Sequence, residues 1–331
     1  MNQKDIPQLA GNEALLHELR LMRQGGHLPH ALLLHGAHGC GKKTAAKWFT
    51  MLAMCEDAEH APCGECKACR LIAEDVHPDV FYAEHSGKRG GFSVETVREI
   101  RMQADILPNN GDLRIFLFPD ADGMSIQAQN ALLKSVEEPP AHAAFVFTAE
   151  TAGVLLPTLL SRMTVKAVFP VTDAACVNVL KERGYSAEDA EAAVQRFGGN
   201  IGKCISYLTD ETVRQSAETA AELTGALAVK DEYALLRLLT AAAADRDIFR
   251  RTLELFDAQI RDAAAATLHE DLPPLGCDAR SASALAMRLT PKQTVRLHEA
   301  VLTAYADLDS NVSAVLTASA LCAALMNCSA N

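Results

Sequence analysis

The run Gly36-Ala37-His38-Gly39-Cys40-Gly41-Lys42-Lys43-Thr44 has the composition of a phosphate-binding loop. Glycines at 36, 39 and 41 let backbone amides turn inward around an anion, and a helix starting at Lys42 adds the positive end of its dipole. Lys42 stands where the lysine of such a loop reaches the β- and γ-phosphates. The next residue in that chemistry is Ser or Thr, whose hydroxyl binds magnesium; here it is Lys43, with Thr44 one place later. Hydrolysis also needs an acidic residue at the end of a second strand. Asp120, after Arg114–Pro119, fits the metal side, but Ala121 follows where many ATPases carry a glutamate base. Asp122 is close, although an alternating strand exit need not point it the same way. The expectation is a loop that binds or once bound ATP with Mg2+ and does not hydrolyse it. The alternative is an active ATPase in which Thr44 or water completes the magnesium shell.

Four cysteines read Cys55-x7-Cys63-x2-Cys66-x2-Cys69. Zinc takes four thiolates tetrahedrally, and CxxC spacing lets one tight turn present two of them to a single ion. Pro62 and Gly64 supply turn chemistry between them. His60 and His77 are spare ligands, but four cysteines complete the set, so the expected Zn2+ is structural and leaves no open position. Arg162, in Leu159-Leu160-Ser161-Arg162, reads on its own as a solvated or helix-capping arginine. Lys88, Arg89, Arg98 and Arg101 make a modest basic patch of the kind that coats a solvated face. Trp48, Met51 and Met54 are core candidates, and no Ser/His/Asp or Cys/His constellation stands out.

The elements that must hold these residues alternate through the first half. Short apolar runs at Ala31–His35, Asp79–Glu84, Arg114–Pro119, Ala144–Thr148 and Val165–Phe169 read as buried parallel strands. Helical patterns lie between them at Lys42–Met54, Val94–Ile106 and Ser125–Glu138, the last stopped by Pro139-Pro140. After Pro170 the strand signals end. Ser186 and Asp189 have capping-box spacing, Gly198-Gly199 closes the following helix, and Thr290-Pro291-Lys292-Gln293 opens another after the break at Leu272-Pro273-Pro274-Leu275-Gly276. The pattern predicts three domains: an α/β unit over 1–170 with its cysteine insertion at about 55–69, a small helical unit over 171–208, and a larger helical domain over 209–331.

The 331 residues carry 31 Lys+Arg against 42 Asp+Glu, a net charge of −11, which excludes wholesale wrapping of nucleic acid. With 49% apolar and only 5% aromatic residues, alanine-rich helical packing is favoured over a β-sandwich. Ten cysteines in a chain of this length do not make a secreted disulfide scaffold. The absence of a long apolar run and of a signal-like start predicts a soluble, cytoplasmic protein with no membrane partner.

Several stretches together resemble bacterial clamp-loader subunits of the AAA+ class. They are Leu28-Pro29-His30-Ala31-Leu32-Leu33-Leu34-His35-Gly36, the four-cysteine module, His77-Pro78-Asp79, Asn130-Ala131-Leu132-Leu133-Lys134-Ser135-Val136-Glu137-Glu138-Pro139-Pro140, and Leu160-Ser161-Arg162. The resemblance covers about the first 210 residues, with Asp309-Ser310-Asn311-Val312 similar to the family's last helices. It implies an α/β P-loop (RecA-like) domain with a parallel sheet and zinc module, a three-helix lid and an all-α collar. It also implies a place in a DNA polymerase holoenzyme, with motor ATPase and delta-type subunits docking through the collar, and with the sliding clamp and primer-template DNA met inside the complex. Lys43, Ala121 and Met163 depart from the family's motor subunits and match its non-hydrolysing member. In the family the arginine at 162 projects into a neighbour's ATP site as an arginine finger. A third reading, apart from that resemblance, is a zinc-dependent DNA-binding module, and the acidic net charge counts against it.

Overall fold

The computed structural model describes residues 6–85, 91–267 and 278–330, and the chain divides into two compact units, Met1–Val171 and Thr172–Asn331. Lys88, Arg89 and the break at 272–276 lie outside the described residues.

In the first unit five strands build one parallel sheet. They are β1 (Ala31–His35), β2 (Val80–Tyr82), β3 (Arg114–Phe118), β4 (Ala143–Ala149) and β5 (Thr164–Ala167), in spatial order β2-β3-β4-β1-β5. Leu33 stands opposite Phe147 on one side and Val165 on the other. The strands read as continuous apolar runs because both faces are covered. Leu32, Leu34, Ile115, Leu117 and Val146 pack one way against α1 (Glu13–Gln24) and α2 (Lys42–Met54). Leu33, Phe116, Phe118, Phe145 and Phe147 pack the other way, against α4 (Val94–Ala104) and α5 (Ile126–Glu137). The shorter α3 (Lys67–Ala73) and α6 (Pro157–Leu160) precede β2 and β5. β1 lies between β4 and β5, so the loop leaving its carboxyl end opens where the strand order reverses, the usual ligand crevice of an open α/β sheet.

The edge strands are shorter than their apolar runs suggest, since β2 pairs only with β3 and leaves Tyr82 exposed. A buried polar knot fixes that edge. Asp79, fully buried, accepts the amides of Asn109 (2.7 Å) and Asn110 (2.6 Å), and Arg114 Nε lies 3.4 Å away.

The second unit is helical throughout its described residues: α7 (Asp173–Glu182), α8 (Ala187–Phe197), α9 (Ile201–Thr209), α10 (Glu211–Val229), α11 (Glu232–Ala242), α12 (Arg246–Ala266), α13 (Ala279–Ala286), α14 (Pro291–Asp309) and α15 (Ala314–Ala330). α7, α8 and α9 pack on one another, and α10 packs along α12. Gly198, at φ +57°, ends α8, while Thr290 and Gln293 cap α14 reciprocally with Pro291 in its first turn. Ser186 accepts the Asp189 amide at 3.0 Å, but the Asp189 carboxylate takes the Ser186 hydroxyl at 2.7 Å and so closes only half of a capping box. No described helix is long and apolar enough to cross a membrane.

Candidate functional site

The loop between β1 and α2 follows directly from its glycines. Gly39 and Gly41 sit at φ +84° and +99°, where other residues are strained. Gly36 passes so close to β5's exit that an added Cβ would lie 2.1 Å from Val168 O. Gly41 is the N-cap of α2, which has no side-chain cap, and the helix's first backbone bond runs from the Ala45 amide to Gly41 O at 2.8 Å. Leu9 closes over this helix start, its Cδ1 2.7 Å from where a Cβ on Gly41 would stand. Lys42, 5% exposed, folds back over the loop and donates to Gly36 O (2.7 Å) and Ala37 O (3.1 Å).

The place a metal would take is differently furnished. Asp120, in left-handed conformation at the end of β3, donates its amide to Thr148 Oγ1 at 2.9 Å. Its carboxylate lies 2.6 Å from Lys43 Nζ. Asp122 is absorbed elsewhere, accepting the Glu150 amide at 2.8 Å, and Ala121 is buried. Thr44 and Lys43 border a cavity of about 560 Å³ that Thr148 and Leu117 also line. Magnesium needs oxygen donors in near-octahedral array. An ammonium at the hydroxyl position, paired to Asp120, does not fit that ion.

The four cysteines come together at the end of α2. Cys55 is its C-cap and Cys66 the N-cap of α3, so two helix ends and the turn at Cys63 present the sulfurs. Arg23 fixes the approach by donating to the carbonyls of Leu52, Ala53 (2.8 Å) and Cys55 (2.6 Å), a capping role the sequence did not announce. All four Sγ atoms lie within 4.8 Å of one another, near the ~3.8 Å separation of thiolates on one tetrahedral zinc with ~2.3 Å bonds. Amides already point at them: Cys63 N–H to Cys55 Sγ (3.4 Å), Cys66 N–H to Cys63 Sγ (3.3 Å) and Cys69 N–H to Cys66 Sγ (3.4 Å). Burial opposes the Cys63 thiolate, yet the amides of Cys66 and Glu65 outweigh it and draw its pKa down to about 7. Burial pushes the thiols of Cys55 and Cys69 up. A cation at the centre would hold all four as thiolates. His60 pairs with Asp57 at 3.3 Å, and His77 Nδ1 accepts the Asp79 amide at 3.2 Å, so both imidazoles are engaged outside the cluster. The cluster can hold a metal ion, consistent with zinc.

Arg162 leaves α6 on the surface, with about a third of its side chain exposed (34%). It donates to Thr158 O (2.8 Å), Ser161 Oγ (3.3 Å) and Glu137 Oε1 (2.8 Å). Glu137 ends α5 within the NALLKSVEEPP stretch, so that motif and the Ser-Arg pair meet in space. Trp48 and Met51 are buried, as core residues should be. Sequence spacing gave no sign that Cys176 and Cys204 converge, their sulfurs 3.9 Å apart and both fully buried.

A parallel sheet of this order, a glycine loop after its first strand and a helical second unit define the class: a P-loop α/β protein of the AAA+ type. Residues 11–171 match the family described as "DNA polymerase III, delta subunit". The chain is 35% identical over 164 residues to DNA polymerase III subunit delta-prime of Pseudomonas aeruginosa, covering 49% of this chain and 50% of that protein. It is 27% identical over 255 residues to the delta-prime subunit of Escherichia coli, covering 76% of each. It is 30% identical over 227 residues to the gamma/tau subunit of Mycobacterium tuberculosis, covering 66% of this chain and 39% of that one. The chain is similar to DNA polymerase III subunits of the delta-prime and gamma/tau kinds. It spans half or less of the length of the Pseudomonas and Mycobacterium relatives.

Proposed function

We propose that the chain is a non-hydrolysing, stator-like subunit of a DNA polymerase III clamp loader, helping to place the sliding clamp on primed DNA in the cytoplasm. The observation that carries this reading is the Lys43–Asp120 pair at 2.6 Å, which removes both groups that would organise magnesium. The exposed Arg162 supports the complementary half, that the chain acts in trans. A planar guanidinium delivered to a neighbour's ATP stabilises charge developing on the γ-phosphate, and such fingers are worth ~10³–10⁵ in rate. Cys55, Cys63, Cys66 and Cys69 would hold one Zn2+, which when bound ties α2 to α3 and does no catalysis. The division of labour we infer is a nucleotide-type domain over 1–170, a lid over 171–208 and a collar over 209–331 that docks on motor and delta-type subunits. DNA and clamp would be met within the ring, in keeping with a net charge of −11.

The test is Arg162→Ala in an assembly reconstituted with its motor and delta-type subunits, clamp and primed DNA. Stimulated ATPase should fall by at least about tenfold with the assembly intact. An unchanged rate removes the trans role.

A further inference from the structure

Two cysteines of the second unit meet where α7, α8 and α9 pack on one another. Cys176 stands one turn past the Thr172 cap of α7, its amide on Thr172 O at 2.9 Å. Cys204 stands one turn past the Asn200 cap of α9, its amide on Asn200 O at 3.0 Å. Both sulfurs therefore lie near the positive ends of helix dipoles, which favour thiolate. They are 3.9 Å apart, neither residue is exposed, and Cys204 Sγ also lies 3.6 Å from Gly198 O. The sulfur–sulfur contact splits the pair, drawing the Cys176 pKa down and pushing that of Cys204 up. One acidic thiol beside one that keeps its proton is the pairing that thiol oxidation uses, the first as nucleophile and the second as resolving group.

We infer that Cys176 and Cys204 form an oxidisable dithiol, which hydrogen peroxide converts to a disulfide joining α7 to α9. The Cys176 thiolate attacks one peroxide oxygen, the O–O bond breaks, and the other oxygen leaves as hydroxide and is protonated to water. Cys204 then attacks the sulfur of the Cys176 sulfenic acid and displaces its oxygen as a second water. Two thiols and one hydrogen peroxide thus give one disulfide and two waters. Closing 3.9 Å to the ~2.05 Å of an S–S bond takes about 1.9 Å of approach, shared between two side chains. Burial selects the oxidant: hydrogen peroxide is close to water in size, whereas bulkier reagents reach these sulfurs only when the helices open. The bond joins residues 28 apart in sequence and fastens α7 to α9 across α8. The inference uses neither the loop after β1 nor Arg162, so it stands or falls apart from the clamp-loader reading.

The test treats the full chain, reduced and then held in zinc-containing buffer, with hydrogen peroxide, alkylates the remaining thiols and maps the peptides by mass spectrometry. A peptide linking Cys176 to Cys204 should appear in more than about half of the chains and vanish on adding dithiothreitol. Amide exchange in α7 and α9 should slow by about tenfold or more in the oxidised chain and recover on reduction. Cys176→Ala should remove both effects, and Cys204→Ala is the second variant if that one does not fold. Recovery of both cysteines as alkylated thiols after peroxide overturns the inference, as does either cysteine linked to a different one. Exchange that is unchanged in the linked chain, or that still slows in the alanine variant, overturns the fastening of α7 to α9.

Discussion

Glu137 Oε1 lies 2.8 Å from Arg162 Nη2, so the last residue of α5 holds the arginine that follows α6. The sheet explains why they meet. α5 packs Leu132 and Val136 onto the face built by Phe145 and Phe147, and Gln129 reaches across to Val154 O (3.1 Å) and the Leu156 amide (2.7 Å). The segment carrying Arg162 is therefore anchored to α5 through Gln129, while Pro157, Thr158 and Ser161 around the arginine are exposed.

Because the pair is exposed, with 34% and 52% of the side chains accessible, its contribution to folding is small. Glu137→Gln should shift stability in urea by no more than about 1 kcal/mol. Arg162→Lys should be equally mild for folding, yet should forfeit most of the trans stimulation, since an ammonium cannot replace the planar fork. A lysine variant with full stimulation would show that charge alone suffices.

Asp79 is the opposite case. Burial would raise its pKa, but the Asn109 and Asn110 amides and the Arg114 guanidinium hold it below the usual carboxylate range. Removing the carboxylate takes the counter-charge from Arg114, itself 4% exposed and left with Gln103 O at 2.8 Å, and Asp79→Ala should cost about 3 kcal/mol or more. A pKa lowered on folding adds stability above the unfolded value and loses it as pH falls through the folded one. The stability gap between the unaltered chain and Asp79→Asn should thus be full at neutral pH and close progressively below about pH 4. A gap that persists unchanged in acid would refute the assignment.

What the sequence made legible follows the range of the forces. Strands β1, β3 and β4 are central, buried on both faces and nearly all apolar, so their limits could be read within a residue. The four-cysteine cluster was equally plain, because CxxC spacing fixes two ligands locally. Contacts between distant residues carry no such mark. Lys43 and Asp120 stand far apart in the chain, and only the parallel order of β1 and β3 about β4 brings the helix after one to the exit of the other. Arg23 at the cysteine cluster and the Cys176–Cys204 approach are of the same kind.

For the cysteine cluster, metal analysis of protein purified without chelator should give about one zinc per chain. Cys69→Ser should abolish stoichiometric metal and raise amide exchange from Cys55 through Ala73. Protection in β1, β3 and β4 should survive, because their core is built from other side chains. A metal-free chain with unchanged protection over the cysteine segment would end the zinc reading.

Gly36 offers a test of the loop that needs no ligand. An added Cβ there would stand 2.1 Å from Val168 O, a backbone atom held by the bond from its own amide to His35 O at 2.7 Å. Neither partner can yield without pulling β5 from β1, so Gly36→Ala should cost about 2 kcal/mol or more. Gly153, with nothing within 4 Å of its added Cβ and no left-handed backbone, is the control, and Gly153→Ala should stay within about 0.5 kcal/mol. Urea unfolding of both measures the difference. Equal stabilities would mean that β5 slides freely past the loop, and the close backbone approach would then not be what shapes the phosphate loop.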